Sequence, residues 1–243
     1  MNIKLILSYD GTNYHGWQQQ ENVPTVQETL FDAIKKIMND VESVQGVSRT
    51  DAGVHAISYA ANFHTEKPIP IDRIPKAVNS CLPPDIRVVA AEAVDENFNS
   101  RFDAVSKTYI YRIINDEVQP PFERNYSWNV SFNLNVYDMQ KATEQLVGEK
   151  DFSSFCASGE ERENHIRKIN YINISKKDDI ITIEINANSY LYNMVRIIAG
   201  TLVNVGRGEI PYENIQSIIE SKDRTKAGQT APPQGLFLKE VNY

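Results

Sequence analysis

The chain has 243 residues, enough for one large domain or two small ones with a buried core, and its hydrophobic content of 41% is ordinary for a globular protein. A formal net charge of −7 counts, taken globally, against nucleic-acid binding. The most apolar stretch, around 190–205, is broken by Asn193, Arg196 and Asn204, which excludes a membrane span.

Charge is unevenly spread, and phosphate affinity depends on the local field. Residues 1–100 carry 8 Lys and Arg against 13 Asp and Glu, whereas 101–243 carry 17 against 19. The stretch 185–208 holds Arg196 and Arg207 and no acid, so an RNA site is permitted though not suggested. Met1-Asn2-Ile3-Lys4 leads straight into a strand pattern without a charged-then-apolar leader. Cys81 and Cys156 are too few to staple such a chain. A reduced, cytoplasmic setting is the expectation.

Alternating Ile3, Leu5, Leu7 and Tyr9 predict a first strand with one buried face. A polar loop from Asp10 to Pro24 precedes a helix on which Val26, Leu30, Ile34 and Ile37 fall at helical spacing, with Thr25 and Glu28 forming a capping-box pattern. A short strand near 43–47 leads to the turn Arg49–Gly53. Ile57, Tyr59, Ala61 and Phe63 alternate as the next strand, 72–80 reads as a short helix, and Ile86, Val88 and Ala90 close a β-α-β-β-α-β order. The second half repeats that order. Lys107–Asn115 reads as a strand, and Asn135 caps a helix stopped by Gly148. A hairpin has arms near 167–175 and 180–188. Ser189 is expected to cap the longest helix, with Leu191, Val195, Ile198, Leu202 and Val205 in its stripe and Gly206 at its end. Pro211 opens an extra helix and Leu236–Val241 supplies the last strand.

The expected architecture is therefore α+β: two ferredoxin-like, RRM-like β-α-β-β-α-β halves, residues 1–100 and 101–243, joined near 96–106. The repetition is one of topology, and that topology hosts RNA recognition among many unrelated functions.

Chemistry concentrates in Ser48-Arg49-Thr50-Asp51-Ala52-Gly53-Val54-His55-Ala56, between two predicted strands. Taken singly, a loop carboxylate beside an arginine is most often a solvated ion pair worth little. Asp51-Ala52-Gly53 is reminiscent of aspartic proteases, but the hydroxyl residue is missing and no second copy completes a dyad. His15, His55, His64 and His165 lack metal-ligand spacing and read as structural or exposed. Gly11-Thr12-Asn13-Tyr14-His15-Gly16 lacks the Lys-Ser/Thr ending of a phosphate loop, and no Gly-x-Ser-x-Gly elbow is present.

Five segments in order resemble the tRNA pseudouridine synthase A family over the whole chain. Tyr9-Asp10-Gly11-Thr12-Asn13-Tyr14-His15-Gly16-Trp17-Gln18-Gln19-Gln20 resembles its amino-terminal signature, and Arg49 to Ala56 resembles its catalytic loop, the most specific of the five. Arg101-Phe102-Asp103-Ala104 with Lys107-Thr108-Tyr109-Ile110-Tyr111 resembles the strand bearing the substrate tyrosine. Tyr192-Asn193-Met194-Val195-Arg196 with Gly200-Thr201-Leu202 resembles the helix bearing the basic partner, and Ala231-Pro232-Pro233-Gln234-Gly235-Leu236-Phe237-Leu238 resembles the family ending. Two departures stand out: Ser48 replaces the glycine usual before the catalytic arginine, which would stiffen the turn, and Asn99-Ser100 stands where the family commonly has His-Ala.

The resemblance implies the pseudouridine synthase fold and isomerisation of uridine in the anticodon arm of tRNA, at tRNA positions 38, 39 and 40. It also implies a homodimer, with no metal and no cofactor. By resemblance Asp51 is the catalytic carboxylate, as nucleophile at C1′, base at C2′ or nucleophile at C6 of the base. Tyr109 lies beside the substrate base and Arg196 is the basic partner of the acid. Arg49 reaches a phosphate, or wedges where the target base is extruded. On the residues alone two other readings stand. One is an RNA-binding protein without catalysis, with Phe98, Phe102, Tyr109 and Tyr111 as stacking platforms. The other is an aspartic-type hydrolase completed by a partner chain. The need for Asp51 separates isomerisation from mere binding.

Overall fold

The computed structural model describes residues 1–159 and 163–243. The chain forms two compact units, one of Met1–Val105 with Phe237–Tyr243, the other of Ser106–Leu236.

In the first unit the elements are β1 (Asn2–Tyr9), α1 (Val26–Ile37), β2 (Gln45–Gly46), β3 (His55–His64), α2 (Ile74–Asn79) and β4 (Ile86–Val94). Strand β1 lies antiparallel between β3 and β4, and β2 pairs with β3. The alternation of β1 does what a period of two requires: Ile3, Leu5 and Leu7 are fully buried and Tyr9 nearly so. Helix α1 contributes Val26, Leu30, Ala33 and Ile34 to that core, and the Thr25 hydroxyl accepts from the Glu28 N–H at its start. The β1–β3 register slips between Leu7 and Tyr9, opposite Tyr59 and Ala56. Such an irregularity re-aims the strand end, here the first residues after the Asp51 loop.

In the second unit the elements are β5 (Ser106–Ile114), β6 (Trp128–Asn129), α3 (Val136–Glu144), β7 (Gly148–Asp151), β8 (Ile166–Lys177), β9 (Ile180–Ala187), α4 (Met194–Gly206) and α5 (Ile215–Ser221). Strands β5, β9, β8 and β7 are successive antiparallel neighbours, and β6 runs parallel to β5. Tyr111, Ile113, Ile181, Ile183 and Ile185 fill the inner face, with Met139 and Leu202 from the helices. The last strand, β10 (Leu236–Asn242), runs parallel to β3 of the first unit, pairing Phe237 with His55 and Leu238 with Ala56.

The α+β plan read from the sequence is the one observed. Two helix ends differ from expectation. Asn135 caps α3 by accepting from the Tyr137 and Asp138 N–H groups, but the helix stops at Glu144, and Gly148, with φ 103°, opens β7. Ser189 does not cap α4. The Ser189 hydroxyl turns to Asn188, Leu191 to Met194 close a tight turn, and the helix starts at Met194 after a left-handed Asn193. Helix α4 is buried almost all round, as expected of a helix in a core rather than on a surface. Among the described residues no helix is long and apolar enough to cross a membrane.

Candidate active site

The loop between β2 and β3 presents a half-buried Asp51 between an exposed Arg49 and an exposed Ala52. Thr50, between the two charged residues, turns inward: its hydroxyl lies 3.0 Å from the Tyr9 phenol, and it is 8% exposed. Gly53 takes φ 77°, the left-handed bend that the loop needs there and that glycine accepts without strain. The Val54 N–H donates to the Asp51 carbonyl, closing the turn at 3.2 Å. Ser48 does not stand at a positive φ, so the backbone at that position does not call for a glycine. Its carbonyl accepts from the Tyr59 hydroxyl.

The amino-terminal loop, Asp10 to Pro24, wraps this turn backbone to backbone. Trp17 N–H donates to the Thr50 carbonyl at 3.2 Å, and Gly53 N–H donates to the Tyr14 carbonyl at 3.1 Å. Approach is so close that a Cβ on Gly11 would sit 2.0 Å from the Val54 carbonyl oxygen, and one on Gly16 would sit 2.3 Å from that of Thr50. Trp17 stacks on Tyr59 with ring centroids 4.2 Å apart, beneath the loop. The signature segment is thus a clamp on the Asp51 loop, a role that its sequence alone did not reveal.

His55 follows the loop and is 2% exposed. Its Nδ1 lies 3.0 Å from the Gly11 N–H and 3.1 Å from Oδ1 of Asp10, and its ring stacks on Phe237 at 4.6 Å. One nitrogen cannot serve both polar neighbours at once: unprotonated it accepts from Gly11, protonated it donates to Asp10. The expectation of a structural or exposed histidine holds in its structural half. Spacing could not show that His55 locks the signature loop to β3. Among the described residues no three His, Cys, Asp or Glu side chains group as a metal site would.

Tyr109 and Arg196 belong to the second unit. Tyr109 on β5 is 6% exposed and meets the Tyr190 ring edge-on, with centroids 5.1 Å apart and planes at 85°. The Tyr190 hydroxyl lies 2.9 Å from both the Lys107 and the Ile185 carbonyls, which share its one proton. Burial drives the Tyr190 phenol well above its ordinary pKa, so it stays a neutral prop. Tyr111, two residues along the same face, is fully buried and donates to the Pro232 carbonyl at 2.7 Å, which removes it from the candidate stacking platforms. Burial raises its pKa too, against the opposing pull of the Arg196 charge.

Arg196 is half-buried on α4 and held in a fork. Its Nε donates to the Ala231 carbonyl at 2.7 Å and its Nη1 to Oδ1 of Asn193 at 2.9 Å. The segment bearing Ala231 lies against the helix because Gly200 lets it: a Cβ there would meet the Gln229 carbonyl oxygen at 1.9 Å. Gly200, one turn along α4 from Arg196, therefore serves the close approach of that segment.

A family model described as tRNA pseudouridine synthase matches residues 5–103 and 142–243. A protein named tRNA pseudouridine synthase A from Thermoanaerobacter sp. (strain X514) is 50% identical over 242 residues, spanning 100% of this chain and 99% of its own. One of the same name from Caldicellulosiruptor saccharolyticus is 48% identical over 242 residues, again across 100% of this chain and 99% of its own. A tRNA pseudouridine synthase A 2 from Clostridium tetani is 44% identical over 244 residues, 100% of this chain and 98% of its own. Identity at this level over full lengths, on a chain whose signature loop clamps an Asp51 turn, leads to one conclusion: the chain belongs to the tRNA pseudouridine synthase family.

Proposed function

We propose that the chain isomerises uridine to pseudouridine in the anticodon arm of tRNA, at tRNA positions 38, 39 and 40. Asp51 is the catalytic carboxylate, and Tyr109, Arg49 and Arg196 bind the substrate. The observation that carries this reading is the Asp51 loop, a carboxylate presented half-buried on a turn tied at both ends to the signature loop. A fixed carboxylate suits a reaction that breaks the N1–C1′ bond and makes a C5–C1′ bond. The C5 carbon loses a proton and N1 gains one, so nothing is oxidised, no group leaves, and the chemistry requires no cofactor.

Asp51 serves the first step by attack at C1′, proton abstraction at C2′ or attack at C6. The Tyr109 ring offers a stacking face and its hydroxyl a path for the C5 proton. Arg49 is exposed beside Asp51, which suits a phosphate contact or a wedge at the vacated stack. Arg196 supplies a guanidinium whose orientation is held by two neutral oxygens. A homodimer and a cytoplasmic setting, where tRNA is met, belong to the same proposal, as does the division of labour between residues 1–100, with the acid, and 101–243, with the tyrosine and the basic helix.

The test is incubation with a uridine-containing tRNA followed by nucleoside analysis of the anticodon arm. Pseudouridine is expected with the wild type and absent with Asp51→Asn, whose tRNA affinity stays within a few-fold because phosphate contacts dominate binding. Product at near-normal rate from Asp51→Asn in single turnover would falsify the assignment of the acid. Pseudouridine confined to another arm would overturn the anticodon reading.

A further inference from the structure

Helix α4 begins in an uncommon way. An N-cap asparagine ordinarily keeps an extended backbone and turns its side chain onto the free N–H groups of the first turn. Asn193 does neither: its φ is 58° and its ψ 10°, and its side chain bonds none of those N–H groups. Its Oδ1 accepts instead from Nη1 of Arg196 at 2.9 Å. The Ala231 carbonyl takes Nε of the same guanidinium at 2.7 Å, and the Ala231 N–H returns to the Arg196 carbonyl at 3.1 Å.

We infer that Asn193 is a positioning residue for Arg196, holding its guanidinium in one orientation through a neutral acceptor. Both requirements at this place point to asparagine. A left-handed backbone is closed to most side chains, and asparagine and aspartate are among the few that tolerate it. Of those two, only asparagine orients the guanidinium without answering its charge. An aspartate would form an ion pair with Arg196 and compete with the negative groups of the reaction. Orientation set before substrate arrives removes an ordering step from the reaction itself, and small misplacements of such groups carry large rate penalties.

This inference rests on the reading of Arg196 as a residue of the substrate site, and the experiment separates the two. Single-turnover pseudouridine formation, tRNA Kd and Tm are measured for Asn193→Gly, Asn193→Asp, Arg196→Ala and the Asn193→Gly/Arg196→Ala pair. Glycine keeps the left-handed backbone and deletes only the acceptor. Asn193→Gly is expected to slow the chemical step about ten-fold, with Kd within two-fold of wild type. Asn193→Asp is expected to be slow as well, and Asn193→Gly to have no further effect once Arg196 is alanine. An Asn193→Gly rate within two-fold of wild type beside a slow Arg196→Ala overturns the positioning role alone, as do single losses that multiply in the pair. A wild-type rate in Arg196→Ala overturns the reading of Arg196 and this inference with it. If Asn193→Gly loses its melting transition, Asn193→Asp carries the test: a wild-type rate there overturns the neutral-acceptor role.

Discussion

The Tyr9 phenol and the Thr50 hydroxyl lie 3.0 Å apart in the interior of the first unit, one residue before Asp51. This bond joins the end of β1 to the loop that carries the acid. Tyr9→Phe deletes it and leaves a buried threonine oxygen short of a partner. A loss of about 1 kcal/mol in urea denaturation is expected, with a slower single-turnover rate and an unchanged tRNA Kd. In a double-mutant cycle with Thr50→Val, the loss in the double variant should fall short of the sum of the two single losses by about 1 kcal/mol. Full additivity would show that the two hydroxyls are not coupled.

Gly16 tests the clamp from the other side. Alanine there meets two separate penalties: a left-handed φ of 87° and a Thr50 carbonyl oxygen 2.3 Å from the new Cβ. Gly208 shares the first penalty, with φ 76°, but has nothing within 4 Å. Gly208→Ala is expected to cost about 1–2 kcal/mol, the left-handed penalty alone. Gly16→Ala should cost roughly 1–3 kcal/mol more through overpacking, and should depress the chemical step because Thr50 must move. Equal stability losses in the two variants would show that the clamp yields freely.

Much of this arrangement is legible in the sequence, and the reasons are physical. Alternation in Ile3 to Tyr9 and the caps at Thr25 and Asn135 are local signals, and each appeared where its chemistry placed it. The start of α4 is not legible there, because hydrophobic spacing carries Leu191 into the helix, whereas a left-handed Asn193 ends the turn just before it. The clamp was invisible for another reason. Tyr9 and Thr50 are 41 residues apart, and no local pattern records that a loop needs glycine at 16 because a carbonyl arrives from residue 50. Alternation likewise marks 236–241 as a strand without naming β3 as a neighbour.

Ser100 holds a buried hydroxyl without a partner, an arrangement that costs stability. It is fully buried, and its Oγ has no hydrogen-bond partner among the described residues. Its backbone is well served: the N–H donates to Oδ1 of Asn62 and the carbonyl accepts from the Tyr243 hydroxyl, both at 2.9 Å. Ser100→Ala keeps those bonds and deletes only the orphaned hydroxyl. A gain of about 1 kcal/mol and a higher Tm are expected, with catalysis unchanged. A lower Tm would mean that the hydroxyl is satisfied after all.

Asp151 gives the second unit a pH-dependent contribution. Burial pushes this carboxyl up, but the Lys222 ammonium at 2.8 Å and the Ser153 hydroxyl and N–H outweigh it and hold the pKa at about 2, below the ordinary 3.8. A depressed folded-state pKa adds stability above the unfolded value, and that stability is lost as pH falls from about 4 towards 2. Lys222 is 61% exposed, so solvent screening limits the pair to about 1 kcal/mol. Asp151→Asn should lose that much at pH 7 and converge on the wild type near pH 2. A stability difference independent of pH would refute the assignment.

Tyr109 allows stacking and proton transfer to be told apart. Its ring is 6% exposed and braced edge-on by Tyr190, whose own hydroxyl is committed to two backbone carbonyls. Tyr109→Phe keeps the ring, the edge contact and the stacking face, and removes only the hydroxyl. Its tRNA Kd should therefore match the wild type. Tyr109→Ala removes the ring as well and opens a cavity in the sheet face, at a cost of roughly 3–5 kcal/mol. With tRNA tritiated at uridine C5, isomerisation releases the label to water. If the hydroxyl relays that proton, the phenylalanine variant should bind normally and release tritium at least 100-fold more slowly, in line with the loss of a general acid–base group. Release at the wild-type rate would leave stacking as the role of Tyr109, and the C5 proton would then depart by another route, through Asp51 or through water.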